Sequence, residues 1–143
     1  FMSVEKNKAL VRRLVEAVNT RNWAVLDEVM APDYVDHYAL PGLKPGREGY
    51  MEAQISTANA FPDFQFTIED MIAEGDKVVV RMTFSGTHKG EFAGIPPTNK
   101  RVTYAHIRIL RIVRGKFVED WGFSDRLSAL QQLGAIPPIR LGK

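Results

Sequence analysis

The spacing of apolar positions changes period once along the chain. Val4, Leu10, Val11, Leu14, Val15 and Val18 recur at helical spacing behind Ser3, which can cap a helix with Glu5 in its first turn. Asn22 can cap a second, short helix that carries Trp23, Leu26, Val29 and Met30 on one side and closes at Pro32. Tyr34 to His37 reads as a short extended piece, and Pro41-Gly42 and Pro45-Gly46 mark turns. A third helix is expected from Arg47 to Ala60, with Tyr50, Met51, Ile55 and Ala58 as its apolar side and Pro62 as its stop. Period two then takes over. Phe64, Phe66, Ile68 and Ile72 alternate with polar residues, Gly75-Asp76 is a turn, and Lys77 to Thr87 is a second long strand. Gly86 to Lys100 is rich in glycine and proline and reads as a structured loop. Two more strands follow, Val102 to Ile112 and Phe117 to Phe123. A last helix is capped by Ser124 or Asp125, contains Leu127, Leu130 and Leu133, and stops at Gly134.

Helices first and long antiparallel strands afterwards predict an α+β fold, with the N-terminal helices packed on one face of a cone-shaped, curved antiparallel sheet. The space enclosed between them is a natural small-molecule pocket. A length of 143 residues suits a single domain over 1–143, and 45% hydrophobic with 25% charged residues is ordinary for a soluble protein. The net charge of +2 comes without any basic block, which argues against nucleic acid as a partner. There are no cysteines, so disulfides, thiol catalysis and cysteine-held metals are excluded. No apolar run approaches a membrane span and no charged-then-apolar leader is visible, so a cytoplasmic protein without membrane contact is expected.

The most informative chemistry lies on the last two strands, where His106 and Asp120 flank a turn at Arg114-Gly115. One residue of slip decides whether they share a face. A two-residue turn pairs Val113 with Lys116, sets Asp120 opposite Ile109 and turns His106 away. A three-residue loop with Gly115 as the left-handed residue pairs Ile112 with Lys116 and sets Asp120 opposite Arg108, with His106 diagonal on the same side. The loop is preferred, because Arg is a poor first residue for the tight turn. It gathers Tyr104, His106, Arg108, Leu110, Val118 and Asp120 on one face. Thr103, Ala105, Ile107, Ile109, Phe117, Glu119, Trp121 and Phe123 take the other face, which is also apolar. An apolar outer face suggests a partner subunit, so a homo-oligomer, dimer or tetramer, is expected.

Nearly the whole chain resembles the SnoaL-like polyketide cyclases, within the superfamily of nuclear transport factor two and ketosteroid isomerase. The stretches that carry the resemblance are Leu26 to His37, Phe61-Pro-Asp63, Gly75-Asp76, Val79-Val-Arg81, Gly86-Thr-His-Lys-Gly90 with Phe92, Gly94-Ile-Pro-Pro-Thr98, Gly115-Lys116, Trp121 and Gln131-Gln-Leu-Gly134. The Gly-Thr-His and Pro-Pro-Thr stretch is the most specific. Asn99 departs from the pattern, standing where the family usually has glycine. The resemblance implies a cone-shaped fold around a deep cavity and an intramolecular aldol ring closure without metal or organic cofactor. It places an acid–base aspartate at Asp120 and a histidine at His106 on the strand before.

Asp120 and His106 are therefore the candidate catalytic residues, with His37, Tyr104 and Arg108 as candidate substrate contacts. A base beside a carbonyl must stand near the carbon acid, and burial raises its pKa while a neighbouring arginine lowers it. The plain structural alternative for Asp120 is a cross-strand ion pair with Arg108. His88 reads as tied to the backbone of its loop, Trp23 and Trp121 as core or interface anchors, and Asp125 as a helix cap. The three histidines are not at metal-ligand spacing, so no metal is expected. The substrate expected is a hydrophobic, carbonyl-rich small molecule. The competing functions are a non-catalytic small-molecule-binding protein and a related isomerase or epoxide hydrolase.

Overall fold

The computed structural model describes residues 3–142. Helix α1 (Val4–Asn19) begins where the Ser3 side chain accepts a hydrogen bond from Lys6 N at 3.2 Å. It lays Val11, Leu14, Val15 and Val18 on the sheet. Its far end is tied down by Asn19, which accepts from Phe66 N at 2.8 Å and donates to Phe66 O at 2.9 Å. Helix α2 (Trp23–Val29) runs directly into β1 (Met30–Asp36), so Pro32 sits inside an edge strand and does not end the helix. Helix α3 (Gly46–Ala60) follows, then β2 (Gln65–Glu74), β3 (Lys77–Thr87), β4 (Arg101–Val113), β5 (Lys116–Ser124) and α4 (Arg126–Gln132). Asp125 caps α4 by accepting from Ser128 N at 3.0 Å, and Gly134 ends the segment at φ +79°.

The five strands form one open sheet in the order β1-β5-β4-β3-β2. The β2-β3-β4-β5 run is an antiparallel meander, as the pattern predicts, but β1 joins β5 in parallel, so the sheet is mixed. The chain reaches that parallel edge by crossing over through α3 and the meander. Only long-range pairing could disclose it, because a seven-residue strand containing Pro32 has a weak local signature.

A second departure lies in β2. Ile68 pairs with Met82 but Asp70 pairs with Arg81, leaving Glu69 as an extra residue. The bulge reverses the alternation, so Met71 and Ala73 pack against the core while Ile72 points out at 62% exposure. Arg81, whose facing the sequence leaves open, lies exposed between buried Val80 and Met82. The core holds Phe61, Phe64 and Phe84, with Phe64 stacked on Phe84 and Phe84 stacked on Tyr104 at 4.6 Å between ring centres.

The loop between β3 and β4 is structured by His88, which is fully buried. Its Nδ1 accepts from Thr98 N at 3.2 Å and lies 3.0 Å from Thr98 Oγ1. Asn99 adopts φ +60°, a left-handed conformation that asparagine tolerates better than most residues and glycine tolerates freely. Gly90 lies so close to the end of α3 that a Cβ there would stand 2.4 Å from Asn59 O. That contact lets Lys89 N and Gly90 N both donate to Ala60 O.

Candidate active site

The β4–β5 hairpin settles which side chains meet. Its turn is the two-residue one. Arg114 and Gly115 both have positive φ, 53° and 74°, and Val113 pairs with Lys116. The preferred three-residue loop is therefore incorrect. Yet the face it predicts for Asp120 is the observed one, because a bulge follows the turn. Ile112 pairs with Phe117 while Arg111 pairs with Glu119, so Val118 is an extra residue that restores the parity. Asp120 lies opposite Leu110, Arg108 opposite Gly122 and His106 opposite Ser124, all on the inner face. The two-residue turn also sets Phe117, expected outside, fully in the core opposite Ile112.

Arg108 and Asp120 are both buried and form an ion pair. Arg108 Nε and Nη2 each lie 2.6 Å from Asp120 Oδ2. The rest of the guanidinium is used as well, with Nη1 donating to Tyr50 Oη at 3.0 Å and Nη2 to Tyr34 Oη at 2.8 Å. Burial works against the charge of Arg108, but Asp120, Tyr50 and Tyr34 more than offset it and hold its pKa well above the usual value. Burial raises both tyrosines, and the nearby Arg108 charge only partly opposes it. Gly122 makes the arrangement fit, since a Cβ there would stand 3.2 Å from Arg108 Cγ.

The pair is not saturated. Asp120 Oδ1 is buried without a hydrogen-bond partner, and so is His106 Nδ1. An orphaned carboxylate oxygen in a low-dielectric site is costly, and such groups mark places where a ligand or a proton belongs. His106 packs edge-on against Phe66 at 5.4 Å. Burial first, and then the charge of Arg108, lower its pKa from 6.5 to about 3, with Asp120 only partly opposing. The imidazole is thus neutral at physiological pH.

These groups line a cavity of about 300 Å³ whose walls include Leu14, Val15, Val18, Tyr50, Gln54, Met82, His106, Arg108 and Asp120. A second chamber of about 450 Å³ adjoins it and shares Gln54, Phe66, His106, Ser124 and Arg126. Tyr104 lies on this second chamber together with Phe92 from the loop, and burial raises its pKa to about 12. Of the five candidate residues, Asp120, His106, Arg108 and Tyr104 share this connected space.

His37 does not join them. The parallel pairing of Asp36 with Asp120 carries the following residue to the outer side of the sheet. His37 Nε2 lies 2.6 Å from Glu119 Oε2, and the ring stacks on Trp121 at 4.6 Å. It is the one candidate substrate contact that the structure does not bring to the cavity. Its neighbour Asp36 takes the inward position instead. Burial, and then the adjacent Asp120, raise the Asp36 carboxyl above its usual range.

Sequence reasoning passed over Tyr34, Tyr50, Gln54, Asp36 and Arg126. The two tyrosines carried a usable signal, since a tyrosine on an apolar helix face or strand needs a partner for its hydroxyl, and an inward arginine is a matching donor. Gln54 and Arg126 reach the cavity only through the placement of α3 and α4. Among the described residues no helix is long and apolar enough to cross a membrane, and no group of three or more His, Asp or Glu is placed to hold a metal ion.

An α+β fold whose helices and curved sheet enclose a cavity lined by buried ionisable side chains defines a class of small-molecule-binding folds. Within that class the chain belongs to the SnoaL-like polyketide cyclase family, whose model matches residues 8–133. The aklanonic acid methyl ester cyclase DauD of Streptomyces sp. (strain C5) is 32% identical over 130 residues, covering 87% of this chain and 80% of DauD. The structure of TsrD from Streptomyces laurentii superposes with a TM-score of 0.88 at 32% identity, covering 95% of this chain and all of TsrD. AclR from Streptomyces galilaeus, proposed to be a hydroxylase, has a TM-score of 0.84 at 31% identity and covers 96% and 87% of the two chains. The relatives make this chain an enzyme of the polyketide cyclase type. The chemical steps have to be argued from the site, because one fold carries more than one reaction.

Proposed function

We propose that this enzyme closes a ring by an intramolecular aldol reaction on a hydrophobic polyketone, without metal or organic cofactor, using Asp120 and His106. The observation that carries the reading is the half-used carboxylate. Arg108 holds Oδ2 and fixes the group's orientation, while Oδ1 is buried without a hydrogen-bond partner in a residue that lines the cavity. A non-catalytic binding protein would gain stability by satisfying both oxygens, and this one leaves the reactive oxygen open at a cost.

Asp120 Oδ1 takes a proton from the carbon between two carbonyls. Neutral His106 and the Tyr50 hydroxyl, whose oxygen already accepts from Arg108, donate to the enolate oxygen as charge develops there. The enolate carbon then attacks a second carbonyl held nearby by the apolar walls. A carbon–carbon bond forms, the carbonyl electron pair becomes an alkoxide, and the proton on Asp120 returns to it. No proton or electron is gained or lost, so the carboxylate is regenerated.

Incubation with aklanonic acid methyl ester, the compound in the name of DauD, tests this reading. The expected result is a product of unchanged mass with one more ring, and deuterium in place of the exchangeable C–H when the reaction runs in heavy water. Neither ring closure nor exchange above the background rate would count against it.

We also propose that the outer face of the sheet meets a second copy of the chain. Ile107 and Ile72 are exposed there beside half-buried Ile109 and Trp121. Sedimentation analysis should give a dimer mass that falls toward the monomer in Ile107→Lys, and a monomeric wild type would refute the interface.

A further inference from the structure

Asp36 and Asp120 are register partners in the parallel pairing of β1 with β5, so their side chains leave adjacent strands on one face. The two carboxyls lie within hydrogen-bonding reach of each other. Two ionised carboxylates offer acceptors only, so neither satisfies the other unless one holds a proton. Asp120 is buried, with Oδ2 taken up by Arg108 and Oδ1 without a donor. Asp36 is half-buried and forms no ion pair among the described residues. It borders a neighbouring cavity of about 510 Å³ together with Asp33, Tyr34, Lys44 and Tyr50. Of the charged groups around it, Lys44 is engaged with Glu48 at 3.0 Å, Arg108 with Asp120, and Asp33 is exposed. Its own Oδ1 accepts from Tyr38 N at 3.0 Å, which leaves Oδ2 to carry a proton. Burial, and then Asp120, favour that proton, against the Tyr38 amide and Arg108.

We propose that Asp36 is a positioning residue for Asp120, donating an O–H···O bond to the unpartnered Oδ1 so that the two carboxyls hold one proton and one negative charge between them. The inference rests on Asp120 being the ring-closure base. A carboxylate oxygen has two lone pairs, so accepting from Asp36 leaves one for the substrate's proton. Arg108 then fixes one oxygen of the base and Asp36 the other. The Asp36 proton stays in place while Oδ1 takes the substrate proton and returns it, so the cycle still balances. At higher pH Asp36 ionises. The base then loses its donor, and a second charge beside it opposes the enolate that must form. Ring closure therefore falls off on the alkaline side, where a lone carboxylate base would stay active.

Carbon NMR of the aspartate carboxyls, titrated without substrate, tests the pair. In wild type the carbons of Asp36 and Asp120 should shift together at one pH step above the ordinary carboxylate range, because the proton lost belongs to both. Asp36→Asn keeps an acceptor for Tyr38 N and a donor for Oδ1 but cannot ionise, so its Asp120 carbon should stay flat through that range. An Asp120 carbon that does not move with Asp36 in wild type, or that moves equally in Asp36→Asn, overturns the proposal. Rates give a second readout. The kcat of wild type should fall on the alkaline side and that of Asp36→Asn should not, while Asp36→Ala, with no donor, should lower the kcat plateau about tenfold. An alkaline fall that survives in Asp36→Asn, or a full plateau in Asp36→Ala, overturns the positioning role and leaves ring closure standing. A shared titration in a protein that closes no ring overturns the ring-closure reading and leaves the shared proton.

Discussion

Replacing Asp120 by asparagine is expected to slow ring closure by about 10²- to 10⁴-fold, the usual contribution of a positioned acid–base group. The same change should cost stability. A neutral amide at this position cannot balance the Arg108 charge, which is buried with its Nε and Nη2 both 2.6 Å from a carboxylate oxygen whose negative charge would be lost. Breaking a buried pair from one side typically costs about 3–5 kcal/mol, because the surviving charge stays dry and uncompensated. A slow variant could therefore be slow only because it is partly unfolded. The double variant Asp120→Asn/Arg108→Met separates the two causes. It removes both charges, so urea titration should show most of the stability restored while initial rates stay low. A double variant that recovers activity along with stability would show that Asp120 holds the fold and does no chemistry. For the pair taken alone, stability is a poor reason for its presence, since apolar residues of the same volume serve as well or better. In the proposed mechanism its use is orientation, with Oδ2 clamped and Oδ1 left for the proton.

The second large effect is in the pH dependence of stability. His106 in the folded protein titrates at about 3, against 6.5 ordinarily, because burial and then Arg108 disfavour its charge. Above pH 6.5 the imidazole is neutral in folded and unfolded chains alike, so it contributes no slope. Below 6.5 the unfolded chain takes up a proton that the folded chain refuses until about 3. Unfolding is then favoured progressively as the pH falls, by about 1.4 kcal/mol per pH unit and about 5 kcal/mol over the whole interval. Urea titrations between pH 6.5 and 4.5, above the range where most carboxylates protonate, should show this slope in wild type. His106→Asn should lose one proton's worth of it. Identical slopes in the two proteins would mean that His106 is solvated and not held neutral. The same burial serves the proposed chemistry, since a neutral imidazole can donate to an enolate without a resident positive charge that would bind anions indiscriminately.

Asp120 and His106 show how far a sequence carries. That they stand on successive strands around Arg114-Gly115 follows from alternation alone. That they share a face does not follow from the turn the chain adopts. The loop preferred from turn chemistry is wrong, and the observed turn without a bulge would have separated them. The extra residue at Val118 brings them together, and it exists because Phe117 goes into the core next to Ile112. A bulge of this kind is a compromise between a local turn and a distant packing demand, and only the second of these is invisible in the local pattern.

Period, caps and turn residues are enough to establish the helices, the four long strands of the meander, the α+β class and the presence of a pocket. The motifs are enough to place the chain in its family. These features depend on neighbours within a few residues, where steric and hydrogen-bonding rules act directly. Tertiary structure alone decided the parallel edge strand that turns His37 outward and Asp36 inward. It also decided the reversal that exposes Ile72, the arrival of Tyr34 and Tyr50 at Arg108, and that of Arg126 at the cavity. Each of these outcomes is set by contacts between residues far apart in the chain, whose free energy exists only once the sheet and helices have packed.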